Sequence, residues 1–332
     1  MIERAVLPCL IAVFALSGCH PTLDSRHQAG SRTFRVQHGW PELPAGMISG
    51  FISGVDVDSH GHVFTFHTYT EWEVPFRQEL EKRPAVQVWD PDTGELLDSC
   101  GEDFFRMPHG LSIDSKDDVW VTDVAHSQVF KFTHDGDLLL TLGERGVEGA
   151  DSAHFAQPTD VEFGPDGSIY VSDGYINRRV LSFTPEGTYR FEWRAHGSAA
   201  GDFYVVHDLA VDASGRVYVA DRENDRIQIF EPDGTFVSEW RSGGTWRPYG
   251  IDVDPSSGQV FVIDGGAQPY LLPHRSAIVV FDSTGKELQR FGRFGNQDGQ
   301  FIMGHDIALD RDGNVLVADA LGRRLQRFNR VR

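Results

Sequence analysis

Three histidines recur at one position of a repeated sequence, and they are the residues best suited to chemistry. The chain contains six copies of a segment of alternating apolar residues. His109, His207 and His305 each stand two residues before the second, fourth and sixth copies. If the copies surround a common axis, alternate copies each direct one imidazole towards it. Three neutral imidazoles with an open fourth position form the ligand set of a catalytic zinc. The pattern predicts a zinc centre, although imidazole also suits iron, copper or nickel.

The other three copies carry different residues at this position, namely Ser53, Thr159 and Tyr249. Histidine is therefore not a general feature of the repeat. A single histidine at the start of a strand is usually a hydrogen-bonded polar residue. Three at the same position of alternating copies favour metal binding over that interpretation.

The repeat itself predicts the elements that must position these side chains. The six copies cover residues 55–67, 111–123, 161–173, 209–221, 251–264 and 307–319. Each contains two short alternating apolar runs separated by an Asp, Ser or Gly turn, which is the signature of a β-hairpin. Most copies continue into a third and a fourth run. Four strands per unit, at a spacing of roughly 40–55 residues, predict an all-β six-bladed propeller of four-stranded blades over residues 32–332.

The last copy ends at Phe328 and lacks its outer strand. The segment Arg32–Gln37 (RTFRVQ) precedes the first copy and is expected to supply that strand. Such closure joins the two ends of the ring and removes an exposed sheet edge.

The first residues resemble an export signal. The apolar stretch Ala5–Leu16 is too short to span a bilayer and suits the core of a signal peptide. It ends in the letters LSGC, which resemble a bacterial lipobox with Cys19 as the lipidated residue. We predict a signal peptide over 1–18, a flexible tether over 19–31, and an exported lipoprotein of the cell envelope, periplasmic or at the outer membrane, held by its N-terminal lipid alone. An ordinary secretory signal is the alternative.

Charge restricts the class of partner. The chain has 49 acidic and 30 basic residues and a formal net charge of −19, which repels phosphate backbones and argues against nucleic-acid binding. Many aspartates end the repeated V-x-V-x-D runs, for example Asp123, Asp221 and Asp319. We expect these to be structural and to tie strands across neighbouring blades. A monomer with a small-molecule or peptide substrate is expected.

Propeller geometry places further polar residues beside the histidines. Residues just before an innermost strand and residues just after the V-x-D aspartate lie on the same face. Tyr175 and Arg222 follow that aspartate in the third and fourth copies, and Thr68 follows His67, which replaces the aspartate in the first. Two long insertions, 69–85 and 266–276, fall on this face as well. Insertions confined to one face usually mark the binding face of a repeat protein.

Several motifs of the chain resemble one enzyme family. They are MPHGL (107–111), SDGYINRRV (172–180), VHDLAV (206–211), ADRENDRIQIF (220–230) and MGHDIAL (303–309). These resemble the motifs of peptidyl-α-hydroxyglycine α-amidating lyase, the second half of the peptide-amidating enzyme. The resemblance extends from about Gly54 to Phe328.

The resemblance implies a role for individual residues. It implies that His109, His207 and His305 hold zinc. It also implies an axial structural calcium bound by Asp306 and by the backbone carbonyls of Val55 and Leu111. Tyr175 matches the catalytic tyrosine, Arg222 matches a substrate-binding arginine, and Met303 matches a methionine lining the site.

One departure from the family concerns substrate binding. The family's second arginine falls at Thr68, so a charged contact to the substrate is missing there. Such a contact is worth several kcal/mol. His67, or Arg77 or Arg83 from the adjoining insertion, are the candidates to replace it.

The implied reaction cleaves the C–N bond of an N-acyl α-hydroxyglycine to a primary amide and glyoxylate. Tyr175 would be the base, with a pKa depressed from about 10, and Arg222 would anchor the substrate carboxylate. Two alternatives stay open. The first is a non-catalytic, lipid-tethered scaffold for protein or carbohydrate, in which the histidines are dispensable. The second is a lactonase-type metal-dependent hydrolase, whose carboxylate and asparagine ligands contrast with three histidines.

Overall fold

The computed structural model describes residues 33–69, 79–243, 246–266 and 275–331. The predicted signal peptide, the tether and Cys19 lie outside these residues. Within them, the chain forms six four-stranded antiparallel sheets and one short parallel pair of strands. The only helix there is a single 3-10 turn, Arg222–Asn224. No helix in these ranges is long and apolar enough to cross a membrane. The predicted all-β, six-bladed propeller is confirmed.

The strands are numbered in chain order, beginning with β1 (Phe34–Val36). Blade 1 contains β2 (Phe51–Val57), β3 (Val63–Thr68), β4 (Val86–Trp89) and β5 (Leu96–Cys100). Blade 2 contains β6 (Pro108–Ile113), β7 (Val119–Asp123), β8 (Gln128–Phe132) and β9 (Leu138–Leu142). Blade 3 contains β10 (Asp160–Phe163), β11 (Ile169–Asp173), β12 (Arg179–Phe183) and β13 (Tyr189–Arg194).

The second half repeats the same plan. Blade 4 contains β14 (Val206–Val211), β15 (Val217–Asp221), β16 (Arg226–Phe230) and β17 (Phe236–Trp240). Blade 5 contains β18 (Pro248–Val253), β19 (Val260–Asp264), β20 (Ala277–Phe281) and β21 (Glu287–Phe291). The short pair β22 (Arg293–Phe294) and β23 (Gln300–Phe301) follows. Blade 6 contains β24 (Gly304–Leu309), β25 (Val315–Asp319) and β26 (Arg324–Arg330).

The ring closes as the sequence predicts. β1 is the fourth strand of blade 6 and pairs antiparallel with β26, Phe34 opposite Arg330 and Val36 opposite Phe328. Phe34 also stacks on Phe291 of blade 5 at 5.0 Å between ring centroids. The N-terminal strand therefore fastens the last blade to both its own sheet and its neighbour.

The hydrophobic core lies between the blades. Second strands such as β7, β15 and β25 are buried at every position because a neighbouring blade covers each side of the sheet. Outer strands such as β5 and β9 are largely exposed. The largest buried side chains, Trp89, Trp120 and Trp246, belong to three different inter-blade clusters. The blades are thus fixed relative to one another, and the innermost strands surround a common channel.

Candidate metal centre

Each of the three histidines occupies a β-bulge at the start of an innermost strand. In blade 4 the pairing between β14 and β15 skips His207, because Val206 faces Asp221 and Asp208 faces Ala220. The same register shift occurs at His305 in blade 6 and at His109 in blade 2. A bulged residue leaves the regular alternation of the strand, so its side chain can be aimed differently. The sequence predicted the shared register of the histidines but not the bulges.

The aspartates that recur in the repeat hold the segments that lead into these bulges. The Asp123 carboxylate accepts the backbone N–H groups of Arg106 and Met107 at 2.7 and 3.2 Å. Asp221 and Asp319 accept the equivalent N–H groups in blades 4 and 6. The prediction that these aspartates are structural is correct, but they bind the segment leading into their own blade rather than a neighbouring blade.

The three imidazole rings form a nearly equilateral triangle. The ring centroids are 5.0 Å apart for His109 and His207, 4.9 Å for His109 and His305, and 4.7 Å for His207 and His305. All three side chains are buried, and one ligand atom from each lies within 4.8 Å of the others.

Backbone carbonyls of the intervening blades orient the rings. Each histidine Nδ1 contacts the carbonyl oxygen of the residue at its own register in the next blade. These contacts are His109 to Thr159 at 2.7 Å, His207 to Tyr249 at 2.8 Å and His305 to Ser53 at 2.7 Å. A carbonyl can only accept, so each Nδ1 donates and each Nε2 carries the lone pair. This fixed tautomer is typical of histidines that ligate a metal.

The pKa values of the three histidines favour the neutral form that this tautomer requires. Burial lowers the pKa of His109 to about 3 and lowers the pKa values of His207 and His305 well below the usual range. The three imidazoles are therefore neutral at physiological pH, as ligands of a metal must be. The donor set and its fixed orientation fit zinc or a similar divalent ion.

Tyr175 lies beside this triangle, as predicted. Its Oη atom is 2.8 Å from His109 Nε2 and 3.4 Å from His207 Nε2. Burial raises the pKa of Tyr175, and the neighbouring Arg222 opposes that effect without cancelling it. The sequence argument required a depressed pKa. The protein groups alone do not provide one.

Arg222 is buried beside Tyr175 at the start of the 3-10 turn. Its guanidinium carbon is 5.5 Å from the Tyr175 ring centroid and 4.8 Å from that of Tyr249. Its Nε donates to Glu223 at 3.0 Å. Tyr249 was not predicted as a site residue, yet its ring lies 4.8 Å from that of His207. Its place at the histidine register of the fifth copy was the available signal.

Met303 and Thr68 are the other two residues predicted to bind substrate. Met303 is half-buried, two residues before His305, and its N–H donates to Asp319 at 2.9 Å. Thr68 is buried at the end of β3, where it pairs with Phe51.

Two of the three candidates to replace the missing arginine fall within the described residues. Burial lowers the pKa of His67 to about 3, so His67 is neutral and does not supply a positive charge. The Arg83 guanidinium carbon lies 5.0 Å from the ring centroid of Tyr69. Arg77 lies outside the described residues. Among the described candidates, Arg222 is thus the cation that lies near the histidines.

Carboxylates that are buried or half-buried line the channel beyond the histidines. Asp306 accepts the N–H of Val55 at 2.8 Å and so connects blades 6 and 1. Four more aspartates make the same connection to the next blade: Asp56 to Ile113, Asp160 to Leu209, Asp208 to Ile251 and Asp252 to Leu309. Burial raises the pKa of Asp56 to about 7 and that of Asp252 to about 8.

The donor set of the channel suits a hard cation. The pKa of Asp306 is raised well above its usual value by burial and by the charge of Asp160. The N–H of Val55 points at Asp306, and the N–H and C=O of one strand residue share an edge, so the Val55 carbonyl faces the channel. Carboxylate and carbonyl oxygens are the ligands that calcium prefers.

Gly110 allows blades 2 and 3 to approach each other closely beside His109. A Cβ on Gly110, which follows His109, would lie 2.5 Å from the Thr159 carbonyl oxygen and 2.7 Å from Asp160 Oδ1. A side chain there would push blade 3 away and disturb the Thr159 carbonyl that orients His109.

Comparisons with known proteins show which families the chain is similar to. The NHL repeat family model matches residues 105–132 and 203–230, which include His109 and His207. Peptidylglycine α-amidating monooxygenase of Rattus norvegicus is 35% identical over 304 residues, 85% of this chain and 30% of that protein. Peptidyl-α-hydroxyglycine α-amidating lyase 1 of Drosophila melanogaster is 30% identical over 328 residues, 90% of this chain and 60% of that protein. The chain thus spans 30% of the length of the first relative and 60% of the length of the second.

Solved structures show the fold. A gluconolactonase from Xanthomonas campestris superimposes with a TM-score of 0.62, covering 90% of each chain at 16% identity. The fold, the repeats and the channel define the class of this protein, a six-bladed β-propeller with NHL repeats matched in blades 2 and 4. Within that class, it is a homologue of the peptidyl-α-hydroxyglycine α-amidating lyases.

Proposed function

We propose that this chain is a metal-dependent lyase that cleaves an N-acyl α-hydroxyglycine to a primary amide and glyoxylate. The observation that carries the proposal is the meeting of three oriented, neutral imidazoles with the Tyr175 hydroxyl, 2.8 Å from His109 Nε2. Homologues that bear the name of this lyase support the choice of reaction.

The reaction is a redistribution of one proton and one bond. The substrate hydroxyl loses its proton, its oxygen forms the aldehyde C=O of glyoxylate, and the C–N bond breaks. The amide nitrogen gains a proton and leaves as a primary amide. Neither water nor an oxidant is consumed, so the site needs a base, an acid and an anchor for the carboxylate.

Tyr175 and Arg222 can fill these roles. The Tyr175 hydroxyl can take the proton of the substrate hydroxyl as a phenolate and return a proton to the leaving nitrogen. Arg222 is buried, and its planar guanidinium suits a carboxylate. Its position beside Tyr175 also favours the phenolate form.

His109, His207 and His305 would hold the metal of this enzyme. A divalent ion there would act as a Lewis acid towards the substrate hydroxyl and add positive charge beside Tyr175. Asp306, with the Val55 and Leu111 carbonyls, would hold a calcium whose role is to stabilise the channel.

The test is glyoxylate release from a simple N-acyl α-hydroxyglycine by the purified full chain. We expect release that a chelator abolishes and that added zinc restores. The same samples should be offered a lactone, because the fold is shared with a gluconolactonase. Lactone hydrolysis without glyoxylate release would favour the hydrolase class. Neither activity, with no bound metal, would favour a scaffold.

We also propose that the chain is an exported lipoprotein attached through Cys19. The motif LSGC at the end of the apolar segment supports this. In a bacterial host, the Cys19→Ala variant should lose label from radioactive palmitate and leave the membrane fraction. Unchanged labelling would contradict the assignment.

A further inference from the structure

A second group of histidines lies at the opposite end of the propeller from the metal centre. His60 and His62 lie in the turn between β2 and β3, and His134 lies in the turn between β8 and β9. These two turns belong to blades 1 and 2. Together with Asp58, which directly follows β2, they form what we call the rim cluster.

The rim cluster is well separated from the site of the proposed function. Asp58 follows Ser53, the residue at the histidine register of blade 1, by five positions. A strand rises about 3.3 Å per residue, so the separation is about 16 Å along the channel. The inference therefore does not depend on the proposed lyase activity.

One carboxylate oxygen faces all three imidazoles. Asp58 Oδ2 lies 2.9 Å from His62 Nδ1, 3.1 Å from His134 Nε2 and 3.8 Å from His60 Nδ1. One ligand atom from each of Asp58, His62 and His134 lies within 4.8 Å of the other two. The contacts join two hairpins that are distant in sequence.

The backbone holds this carboxylate in place before any ligand binds. Asp58 Oδ1 accepts the N–H groups of His60 and His62, both at 2.8 Å. The Asp58 side chain is fully buried, whereas His62 and His134 are 33% and 40% exposed. Backbone hydrogen bonds thus hold Oδ1, Oδ2 faces the imidazoles, and the imidazoles themselves are partly open to solvent.

We propose that the rim cluster binds one divalent transition-metal ion of the zinc class. Two imidazole nitrogens and one carboxylate oxygen are a common partial ligand set for zinc, nickel or copper. The ion would replace the protons that now bridge His62 and His134 to Asp58 Oδ2. His60 or solvent would complete the coordination. Bound there, the ion would fasten the turns of blades 1 and 2 together.

The experiment measures zinc stoichiometry on the purified full chain by equilibrium dialysis and elemental analysis. The His62→Ala/His134→Ala double variant should bind one zinc fewer than wild type. His196→Ala, which alters an exposed histidine outside both clusters, should bind as much as wild type. Glyoxylate release should be unchanged in the double variant.

A second experiment distinguishes zinc binding at the rim cluster from zinc binding at His109, His207 and His305. In a His207→Ala background, zinc should still raise the melting temperature, and the double variant in that background should lose the rise. If the axial histidines bind no zinc, His207→Ala will leave the stoichiometry unchanged while the rim variant still lowers it. The single variant His134→Gln, on one exposed side chain, serves if the double variant does not fold. A rim variant that binds as much zinc as wild type would overturn the proposal.

Discussion

At the residue scale, the chemistry depends on the environment of Tyr175. Burial raises the pKa of its hydroxyl, and Arg222 offsets this only in part. A tyrosine with a raised pKa is a poor base at neutral pH. The positive charge still needed would come from the metal that we propose for the adjacent histidines, and the base would then depend on that metal.

Replacing Tyr175 should separate catalysis from metal binding. In Tyr175→Phe, kcat should fall by about 10²- to 10⁴-fold because the acid–base group is lost. Bound zinc should stay at the wild-type level because the three histidine ligands remain. Tyr204→Phe, at an exposed tyrosine, is the matched control. Wild-type turnover in Tyr175→Phe would remove the tyrosine from the mechanism.

His67 should make the protein sensitive to acid. Its pKa is about 3 in the folded chain and about 6.5 when unfolded, so the unfolded state binds more protons between these values. The stability contributed by neutral His67 is present above about pH 6.5 and is lost as pH falls, by up to about 1.4 kcal/mol per pH unit. Urea unfolding of wild type and of His67→Leu at pH 7 and pH 5 should show the smaller loss in the variant. His196→Leu should behave as wild type, and equal losses in all three would refute the argument.

At the scale of single elements, the sequence predicted the strands and the register but not the local geometry. The recurrence of His109, His207 and His305 is visible because the repeat is periodic. The bulges are not visible in the sequence, because a bulge depends on how two strands pair and not on the composition of one strand. Tyr249 was missed for a related reason. Its importance comes from packing against His207 and Arg222, which belong to blade 4.

Blade 4, which contains His207, also contains a buried charge network. Arg226 is fully buried and contacts Asp221 at 2.9 Å, Glu239 at 2.6 Å and the carbonyl of Asp202 at 2.7 Å. Removing one partner of such a network leaves buried charge without compensation.

We therefore predict that Arg226→Ala destabilises the protein by about 3–5 kcal/mol. The matched control is Arg216→Ala in the same blade, whose partner Glu231 is 3.3 Å away in a pair that is about half exposed. That change should cost about 0–1 kcal/mol. Urea midpoints of the two variants measure the difference. Equal midpoints would show that the buried network contributes no more than a surface pair.

At the scale of the whole molecule, closure of the ring could be predicted because an unpaired last blade requires a partner strand. Apart from Asp306, which the family resemblance indicated, the carboxylates around the channel were not assigned from sequence, because the aspartates of the turns look the same. Only the assembled ring shows that Asp56 and Asp252 face inwards and bond to the next blade.

The channel should make stability depend on pH and calcium together. Asp252, with a folded pKa of about 8, holds a proton in the folded chain that the unfolded chain has released above about pH 4. Without calcium, this stabilising difference is full below about pH 4 and is lost as pH rises through about 8. Asp306, whose pKa is also raised, must lose its proton to bind calcium, so calcium should raise the melting temperature more at pH 8 than at pH 5. An equal effect at both values, with chelator as reference, would argue against a channel site.

The measurement that tests the central claim most directly is zinc content and glyoxylate release, determined on the same preparations of wild type, His207→Ala and His196→Ala. The three oriented imidazoles predict that His207→Ala loses one zinc per chain and its turnover together, while His196→Ala keeps both. Turnover that persists in His207→Ala after the zinc is lost would contradict a catalytic metal on these three histidines.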